Sequence, residues 1–332
     1  MQSKVFHDFD AFAASVLGVE SKMLFRHPKQ RVWRTDQVAL AGIDVQFGRL
    51  GSGNIAQGQL RPDGFMFYAP LTRAAKYSVN GAVLKENSFA ILEPGCEFCV
   101  STEIEHDWLT VLIPSHMLPQ SRPGPPSRSC RVSDSNGAVA NQFRATLGQI
   151  FNTAENYPGF ESSPAAERAM AELVGVCAMI AGEQPPADLP RDGRPKHSRA
   201  EIIQSSMELI ENTNIQTTGL PSVKDLAAAA NVSERTLRTA FQEYFGVGPN
   251  RYLQLRRLHQ VHHALRTKTP EESSVSEILL EHGEWAFGSF AARYKELFGQ
   301  LPSQTLSDLN TSSTLRSRSV ATAVELRGSL LY

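Results

Sequence analysis

The sequence predicts an α+β multidomain protein with a β-rich N-terminal domain, a pair of helices and an all-α C-terminal domain. Three observations predict this organisation. Residues 20–115 consist largely of short apolar runs separated by turn-forming residues. Residues 182–199 are rich in proline and glycine and poor in apolar side chains, as linkers are. Residues 200–310 carry apolar side chains at helical spacing and contain a repeated unit.

The composition of the chain limits its class. Its 332 residues are 41% hydrophobic and 20% charged, which is typical of folded globular proteins. The formal net charge is −1, so a polyanionic partner would need a local basic patch. Four cysteines are too few for a disulfide framework, the N-terminus does not have the layout of a secretory signal, and no apolar run approaches the ~20 residues of a membrane span. We therefore expect a cytoplasmic protein without a membrane partner.

The N-terminal domain, residues 1–120, is predicted to be a cupin-like barrel or a sandwich of short strands. Residues 42–47 alternate apolar and polar side chains, and residues 64–70 and 108–114 are denser apolar runs bounded by breakers. Barrel mouths commonly hold small molecules, although most aromatic side chains simply belong to cores. The aromatic candidates for a ligand pocket are Phe65, Phe67, Tyr68 and Trp108.

No catalytic site, metal site or cofactor is predicted. The histidines of the N-terminal half lack the clustered spacing of metal ligands, and no set of acids completes one. Cys96 and Cys99 form a CxxC pair after a Pro-Gly turn, but a tetrahedral zinc site would need two further ligands. We interpret the pair as small buried hydrophobes, with redox or metal sensing as the alternative.

Two helices are predicted in residues 136–181. Val139, Phe143, Leu147 and Ile150 recur at helical spacing, and a second run from Ala166 to Ile180 does the same. Each helix has one apolar stripe, which could pair with the other helix or with a partner subunit. Residues 137–154 and 164–181 are therefore candidates for a dimer interface. We expect a loop at 121–129 and a loosely ordered tail at 311–332.

An internal repeat organises the C-terminal domain. Five residues of the first copy recur in the second, each 53 positions later, and they include a glycine and a proline. The pairs are Phe241 with Tyr294, Phe245 with Phe298, Gly246 with Gly299, Pro249 with Pro302 and Leu253 with Leu306. This pattern predicts one helical module used twice.

The first copy has the signals of two short helices joined by a tight turn. Ser222 and Asp225 form an acidic variant of the capping box, and Asn231 tolerates the left-handed conformation that often ends a helix. Ser233 is the expected N-cap of the second helix. The predicted inward face of that helix consists of Leu237, Phe241 and Phe245. The residues that point away from it are Arg235, Arg238, Thr239 and Gln242.

These residues suit DNA. In a helix-turn-helix unit the second helix enters the major groove, where arginine matches the acceptors of guanine and threonine can contact a base or a thymine methyl. Residues 235–268 contain seven Arg or Lys against one acid, Glu243, which is the footprint of phosphate contact. The competing interpretation is a helical module with a solvated basic face that binds protein.

The same residues resemble the AraC/XylS family of transcription regulators over about 199–309. Residues 232–241 look like the first recognition helix of that family, residues 245–253 look like the turn into its long connecting helix, and Phe298-Gly299-Gln300-Leu301-Pro302-Ser303 closes the second unit as the family does. The region is also similar to regulators of ethanolamine-utilisation operons. The resemblance implies two helix-turn-helix lobes joined by one long helix and binding to promoter or operator DNA.

The resemblance also implies partners and site residues. The partners are double-stranded DNA, RNA polymerase, a small-molecule effector sensed by the N-terminal domain, and a second copy in a homodimer. Activation of transcription is the family expectation, but the residues do not distinguish it from repression. The candidate DNA-binding residues are Ser233, Arg235, Thr236, Arg238, Thr239, Gln242, Arg251, Arg256, Arg257, Ser289, Arg293 and Lys295.

The second unit departs from the family pattern. Glu284 stands where a core aromatic residue is expected, and residues 271–296 contain six acids against Arg293 and Lys295. The candidate base-facing positions Phe287, Gly288, Ser289 and Ala292 offer little hydrogen bonding. We therefore expect the first unit to carry most of the sequence reading.

Overall fold

The computed structural model describes residues 1–118, 129–182, 198–213 and 220–308. Most of the predicted loop at 121–129, most of the predicted linker and the predicted tail at 311–332 lie outside the described residues. The described chain divides into two compact units. One contains the described residues up to Gln204 together with Arg235–Gly248, and the other contains those of Ser205–Glu234 and from Pro249 onward.

The N-terminal region is built of short strands. They are β1 (Gln2–Phe6), β2 (Val19–Arg26), β3 (Trp33–Leu40), β4 (Ile43–Leu50), β5 (Gly53–Leu60), β6 (Gly64–Pro70), β7 (Tyr77–Val79), β8 (Ala82–Leu84), β9 (Ser88–Leu92), β10 (Glu97–Thr102), β11 (His106–Pro114) and β12 (Cys130–Asp134). A short helix, α1 (Phe9–Ala13), follows β1. The predicted β-rich domain is thereby confirmed.

The strands form two antiparallel sheets. The larger has the order β1-β3-β4-β11-β6-β9-β12, and the smaller has the order β2-β5-β10-β7-β8. Two edge strands differ from the expectation, because neither β1 nor β12 was anticipated. β12 pairs with β9, with Cys130 opposite Leu92. The sheet therefore extends past the predicted domain boundary at residue 120.

The predicted helical pair is present and packs on the larger sheet. α2 (Gly137–Asn156) and α3 (Pro164–Gly182) bury their apolar stripes in one core with residues of β3, β4, β6, β9 and β11. Phe143 is fully buried and meets Phe89 edge to face at a centroid distance of 4.9 Å. Because these stripes are buried within the chain, they give no support to the proposed dimer interface at 137–154 and 164–181.

The described C-terminal helices are α4 (Arg199–Asn212), α5 (Val223–Ala229), α6 (Glu234–Phe245), α7 (Pro249–Thr267), α8 (Val275–Glu281) and α9 (Phe287–Phe298). The predicted capping box of Ser222 and Asp225 begins α5, and an unpredicted second box, Ser274 with Glu277, begins α8. Within the described residues, no helix is both long enough and apolar enough to cross a membrane.

In the second helix pair, α9 packs against α7 through aromatic contacts. His262 stacks on Phe298 with 4.1 Å between ring centroids, and its Nδ1 lies 2.6 Å from the Tyr294 hydroxyl. His259 meets the same Phe298 ring edge to face. Two of the three histidines that the sequence places in the basic stretch are therefore core side chains of this unit.

Candidate nucleic-acid interface and ligand cavity

Helix α6 has one buried face and one exposed face, as predicted. Leu237, Phe241 and Phe245 are fully buried. The exposed residues of the helix include Arg235, Thr236, Arg238, Thr239 and Gln242. The turn before α6 has Asn231 in the left-handed region at φ +51°, and the Val232 amide donates to the Ala227 carbonyl. These contacts fix where α6 begins.

Two exposed side chains of α6 have hydrogen bonds within the helix. The Thr239 hydroxyl donates to the Arg235 carbonyl at 3.1 Å. The Gln242 amide donates to the Gly246 carbonyl at 3.0 Å, so this side chain turns toward the C-terminal end of α6. Arg235 and Arg238 lie in the N-terminal half, the half that meets base edges in a helix-turn-helix unit.

A buried carboxylate joins three parts of the second unit. Glu284 is 6% exposed, and its Oε2 lies 3.2 Å from Arg257 Nη1 and 3.3 Å from Arg293 Nη2. Its Oε1 accepts a hydrogen bond from the Ala286 amide at 3.1 Å. Arg257 on α7 and Arg293 on α9, both predicted to bind DNA, are thus engaged inside the unit. A charge removed from water needs such partners to be tolerated.

Several acidic side chains of the second unit also have partners within that unit. Glu277 accepts from the Ser274 amide in the capping box, and Glu281 forms an ion pair with Lys268. Glu272 accepts from the Thr269 amide in the same way, and Glu284 is paired, so at least four of the six acids have partners among the described residues. The second unit therefore carries less uncompensated negative charge than the six acids of residues 271–296 indicate.

The turn of the second unit is one residue longer than that of the first. The two capping boxes and the left-handed residues Asn231 and Gly283 are 52 positions apart, whereas α6 and α9 begin 53 positions apart. Trp285 lies in this longer turn and is 78% exposed. Sequence reasoning did not single it out, because only the structure shows the change of register.

Helix α9 exposes few hydrogen-bonding groups at its N-terminal half. Gly288 and Ser289 are exposed, and the Ser289 hydroxyl donates to the Ala286 carbonyl at 3.0 Å. Lys295 is exposed further along the helix. On α7, Arg251 and Arg256 are half-buried, and burial lowers the pKa of Arg251. Helix α6 thus exposes more hydrogen-bonding side chains than α9 does.

A cavity lies between the two sheets of the N-terminal domain. Met66, Tyr68 and Trp108 line it from the larger sheet, and Ala56 and Val100 line it from the smaller. Two predicted aromatic residues, Phe65 and Phe67, do not line it. Alternation along β6 sends them to the opposite face, where they join the core under α2 and α3.

The cavity wall is mainly apolar but carries four polar side chains, Asn54, Tyr68, His106 and Thr110. The Tyr68 hydroxyl is buried and has no hydrogen-bond partner among the described residues. Burial raises the pKa of Tyr68 and lowers the pKa of His106 to about 4. Both groups are therefore uncharged near neutral pH. Neither His106 nor Asn54 was predicted, because no local pattern marks a side chain that faces a cavity.

Two comparisons with known proteins bear on the C-terminal region. A family model described as a helix-turn-helix domain matches residues 226–308. The chain is 38% identical over 86 residues to the XylDLEGF operon transcriptional activator 2 of Pseudomonas putida, which is 26% of this chain and 55% of that protein. The C-terminal region is a helix-turn-helix domain of the AraC/XylS family. The predicted family is confirmed, whereas the resemblance to ethanolamine-utilisation regulators stays a prediction.

The curated relatives with an AraC/XylS-type domain are matched only in part. A probable thc operon regulatory protein of Rhodococcus erythropolis is 25% identical over 173 residues, or 52% of this chain and 51% of that protein. The chain thus spans about half the length of these two relatives. The crystal structure of the AraC-like transcriptional activator CuxR is similar over 78% of this chain and 94% of that one, at 11% identity and a TM-score of 0.38.

The cysteines outside the AraC/XylS-type domain do not resemble a reactive pair. Cys96 and Cys99 are buried, and burial raises the pKa of both thiols, that of Cys96 to about 11. Cys130 on β12 is close enough to raise the pKa of Cys99 further. Thiols with raised pKa values are poor nucleophiles. Among the described residues, no group of three or more His, Cys, Asp or Glu side chains is placed to hold a metal ion.

Proposed function

We propose that this chain is a sequence-specific DNA-binding transcription regulator whose helix α6 reads bases in the major groove. One observation carries the proposal: α6 belongs to an AraC/XylS-type domain and exposes Arg235, Arg238 and Thr239 on a single face. Arginine side chains match the two acceptors of guanine, and threonine can contact a base or a thymine methyl. Ser233, Thr236 and Gln242 complete the proposed surface.

Phosphate contacts in the proposal come from the cationic side chains with solvent access. Lys295 is exposed, and Arg251 and Arg256 are half-buried on α7. Arg257 and Arg293 have an indirect role in the proposal, because their ion pairs with Glu284 orient α7 and α9. RNA polymerase and a second copy of the chain remain proposed partners. The similarity to the XylDLEGF operon transcriptional activator 2 supports activation rather than repression.

The N-terminal cavity supports control by a small-molecule effector. Its wall is apolar, and its polar groups are a tyrosine, a histidine, an asparagine and a threonine rather than a lysine, an arginine or an acid. We therefore propose an uncharged, mainly apolar effector that hydrogen-bonds the Tyr68 hydroxyl. Pockets of this kind use a few placed polar groups to orient a ligand within apolar walls.

A second candidate function is a helical module that binds protein. The observation that favours it is Trp285, which is 78% exposed next to the partly exposed Phe287. Such a surface is typical of protein contacts, in which tryptophan is enriched. The two candidates differ in salt dependence, because only a phosphate-binding surface loses affinity steeply as salt is raised.

The test is a fluorescence-anisotropy titration of the full chain against fragments selected from a genomic library, at two salt concentrations. The proposal expects selective binding that weakens in salt and falls at least tenfold in Arg235→Ala/Arg238→Ala. The matched control is Arg61→Ala/Arg73→Ala, which removes two exposed arginines of the N-terminal domain and should bind as wild type does. Absence of binding at both salt concentrations would favour the protein-binding candidate.

A further inference from the structure

The first residues of α9 and the turn before it are exposed at five consecutive positions, 285–289. Trp285 is 78% exposed and Phe287 is 37% exposed. The five residues include no charged side chain, and their one hydroxyl, that of Ser289, donates to the Ala286 carbonyl. We call residues 285–289 the apolar tip. Single exposed apolar side chains are common, but an exposed segment that contains a tryptophan and so few polar side chains is typical of a contact surface.

Gly288 indicates that a partner comes close to the apolar tip. Glycine destabilises a helix relative to alanine, so its presence in α9 calls for a physical reason. Gly288 has ordinary helical backbone rather than a left-handed conformation. Leaving aside its chain neighbours and the backbone of α9, a Cβ at this position would have no described atom within 4 Å. Neither conformation nor packing within the described residues requires this glycine, which fits a position where a ligand approaches the backbone closely.

Positive charge lies next to the apolar tip. Glu284 is buried, and its Oε2 accepts hydrogen bonds from both Arg257 and Arg293, while its Oε1 accepts from the Ala286 amide inside the tip. Two guanidinium groups therefore share one carboxylate, so this group of three side chains keeps a net positive charge. Arg293 belongs to α9 itself and retains solvent access. Positive charge beside an apolar surface favours a polyanionic partner.

The place of the apolar tip in its helix-turn-helix unit identifies that polyanion as duplex DNA. The N-terminal half of the second helix of such a unit meets base edges in the major groove, and the apolar tip includes the first turn of α9. Apolar side chains cannot read the hydrogen-bond donors and acceptors of the bases. The apolar feature of the major groove is the 5-methyl group of thymine, which phenylalanine is able to contact.

We propose that the apolar tip reads thymine methyl groups, with Phe287 and Trp285 packed against them and Gly288 letting the backbone of α9 come close to the bases. This inference rests on the proposed function and deepens it, since it gives the second unit a mode of recognition of its own. In the proposal, α6 reads bases through hydrogen-bonding side chains, whereas α9 reads them through apolar contact. Burial of one methyl group changes affinity by about fourfold, and the effect is confined to thymine positions.

The experiment replaces each thymine of a DNA fragment selected by wild type, one at a time, with deoxyuridine, which lacks only the 5-methyl group. The full chain is titrated against each fragment by fluorescence anisotropy. Three variants are compared with wild type: Trp285→Ala/Phe287→Ala, Gly288→Ala and the matched control Leu301→Ala. Leu301 has the same exposed fraction as Phe287, 37%, but lies beyond the C-terminal end of α9.

The proposal expects at least one thymine at which deoxyuridine weakens wild-type binding by about fourfold. At that position Trp285→Ala/Phe287→Ala should bind the thymine and deoxyuridine fragments equally, and the control should keep the wild-type difference. Thymines read by α6 stay sensitive in the double variant, so this comparison separates the two units. A wild type that is insensitive to deoxyuridine throughout overturns the inference, as does a double variant that keeps the wild-type effect at every sensitive thymine.

Gly288→Ala separates contact with DNA from folding. Alanine favours a helix, so the Tm measured by circular dichroism should stay level or rise while affinity for the unmodified fragment falls. A lower Tm together with lower affinity would assign Gly288 a structural role and contradict the close approach. If the double variant binds every fragment as wild type does, the apolar tip makes no DNA contact and the protein-binding candidate is favoured for it. A wild type that selects no DNA refutes the proposed function together with this inference, whereas the other contrary outcomes refute the inference alone.

Discussion

The burial of His106, a residue of the cavity wall, makes the free energy of unfolding depend on pH. Burial is the main cause that lowers its pKa to about 4, although hydrogen bonding to the Ile104 carbonyl and the nearby Asp107 act in the opposite direction. The unfolded chain takes up a proton near pH 6.5, whereas the folded chain resists it until about pH 4. Its contribution to stability is thus present above pH 6.5 and is lost as pH falls toward 4, by at most about 3 kcal/mol.

The measurement is urea unfolding followed by tryptophan fluorescence between pH 7 and pH 4. Trp33 and Trp108 are buried in the N-terminal domain, whereas Trp285 is already 78% exposed, so the change in signal on unfolding reports mainly the N-terminal domain. We expect the free energy of unfolding to fall with pH in wild type and to fall less in His106→Gln. The exposed His7 supplies the control, since His7→Gln should follow wild type. Equal slopes for wild type and His106→Gln would contradict the assignment.

Individual residues mark the limit of sequence prediction. The sequence identifies Glu284 as an acid in the place of a core aromatic, but it indicates an acidic surface rather than a buried hub. The partners of Glu284 are Arg257 and Arg293, which lie 27 and 9 positions away. No periodicity brings such residues together, because their meeting depends on how α7 and α9 pack. All four aromatic candidates for the cavity were chosen by residue type. Tyr68 and Trp108 line the cavity but Phe65 and Phe67 do not, because aromatic character does not specify which face of a strand a side chain occupies.

Among the structural elements, the helices α2 and α3 give the clearest prediction about stability. Phe143 of α2 is fully buried against Phe89, so Phe143→Ala removes a large side chain from the core shared by the sheet and both helices. Such truncations cost about 3–5 kcal/mol. For a domain of this size that corresponds to a Tm lower by roughly 6–20 °C. Circular dichroism of the full chain during heating measures it.

The control for this change is Tyr157→Ala, at the C-terminal end of α2. Tyr157 is 66% exposed, and exposed substitutions usually change stability by about 0.5 kcal/mol or less. Sedimentation of the same variants addresses the dimer prediction. If the Phe143→Ala variant melted as wild type does but changed from dimer to monomer, the apolar stripe of α2 would be a dimer interface after all.

Helices and strands with local sequence signals were predicted more accurately than those whose formation depends on residues distant in the sequence. The helices at 137–154 and 164–181 end within two residues of α2 and α3, because a 3.6-residue period and adjacent breakers are both local. Strand β4 was anticipated from alternation, and β6 and β11 were anticipated from dense apolar runs bounded by breakers. Edge strands β1 and β12 were not, since each is five residues long and largely exposed or half-buried, so little apolar pattern marks it. The order of the strands within each sheet depends on residues distant in the sequence, and it could not be predicted from the sequence.

Over the whole molecule, the two copies of the duplicated unit expose different side chains. The first copy exposes two arginines and a threonine on α6, whereas the second exposes Gly288 and Ser289 on α9 and binds Arg293 internally. The longer second turn also displaces an aromatic residue, Trp285, into solvent. A repeat therefore predicts the architecture of both copies from sequence, but equivalence of fold does not imply equivalence of recognition.

This inequality predicts how operator binding responds to single substitutions. Arg235→Ala should weaken binding to the selected DNA by about 5- to 150-fold, because a bidentate arginine–guanine contact is worth about 1–3 kcal/mol. Ser289→Ala should weaken it less than about threefold, since the Ser289 hydroxyl already bonds within α9. Lys295→Ala should weaken all sequences alike and reduce the salt slope by about one, as loss of a phosphate contact does. Anisotropy titrations against the operator and against base-substituted half-sites separate the three effects, and equal losses in Arg235→Ala and Ser289→Ala would show that both copies read sequence.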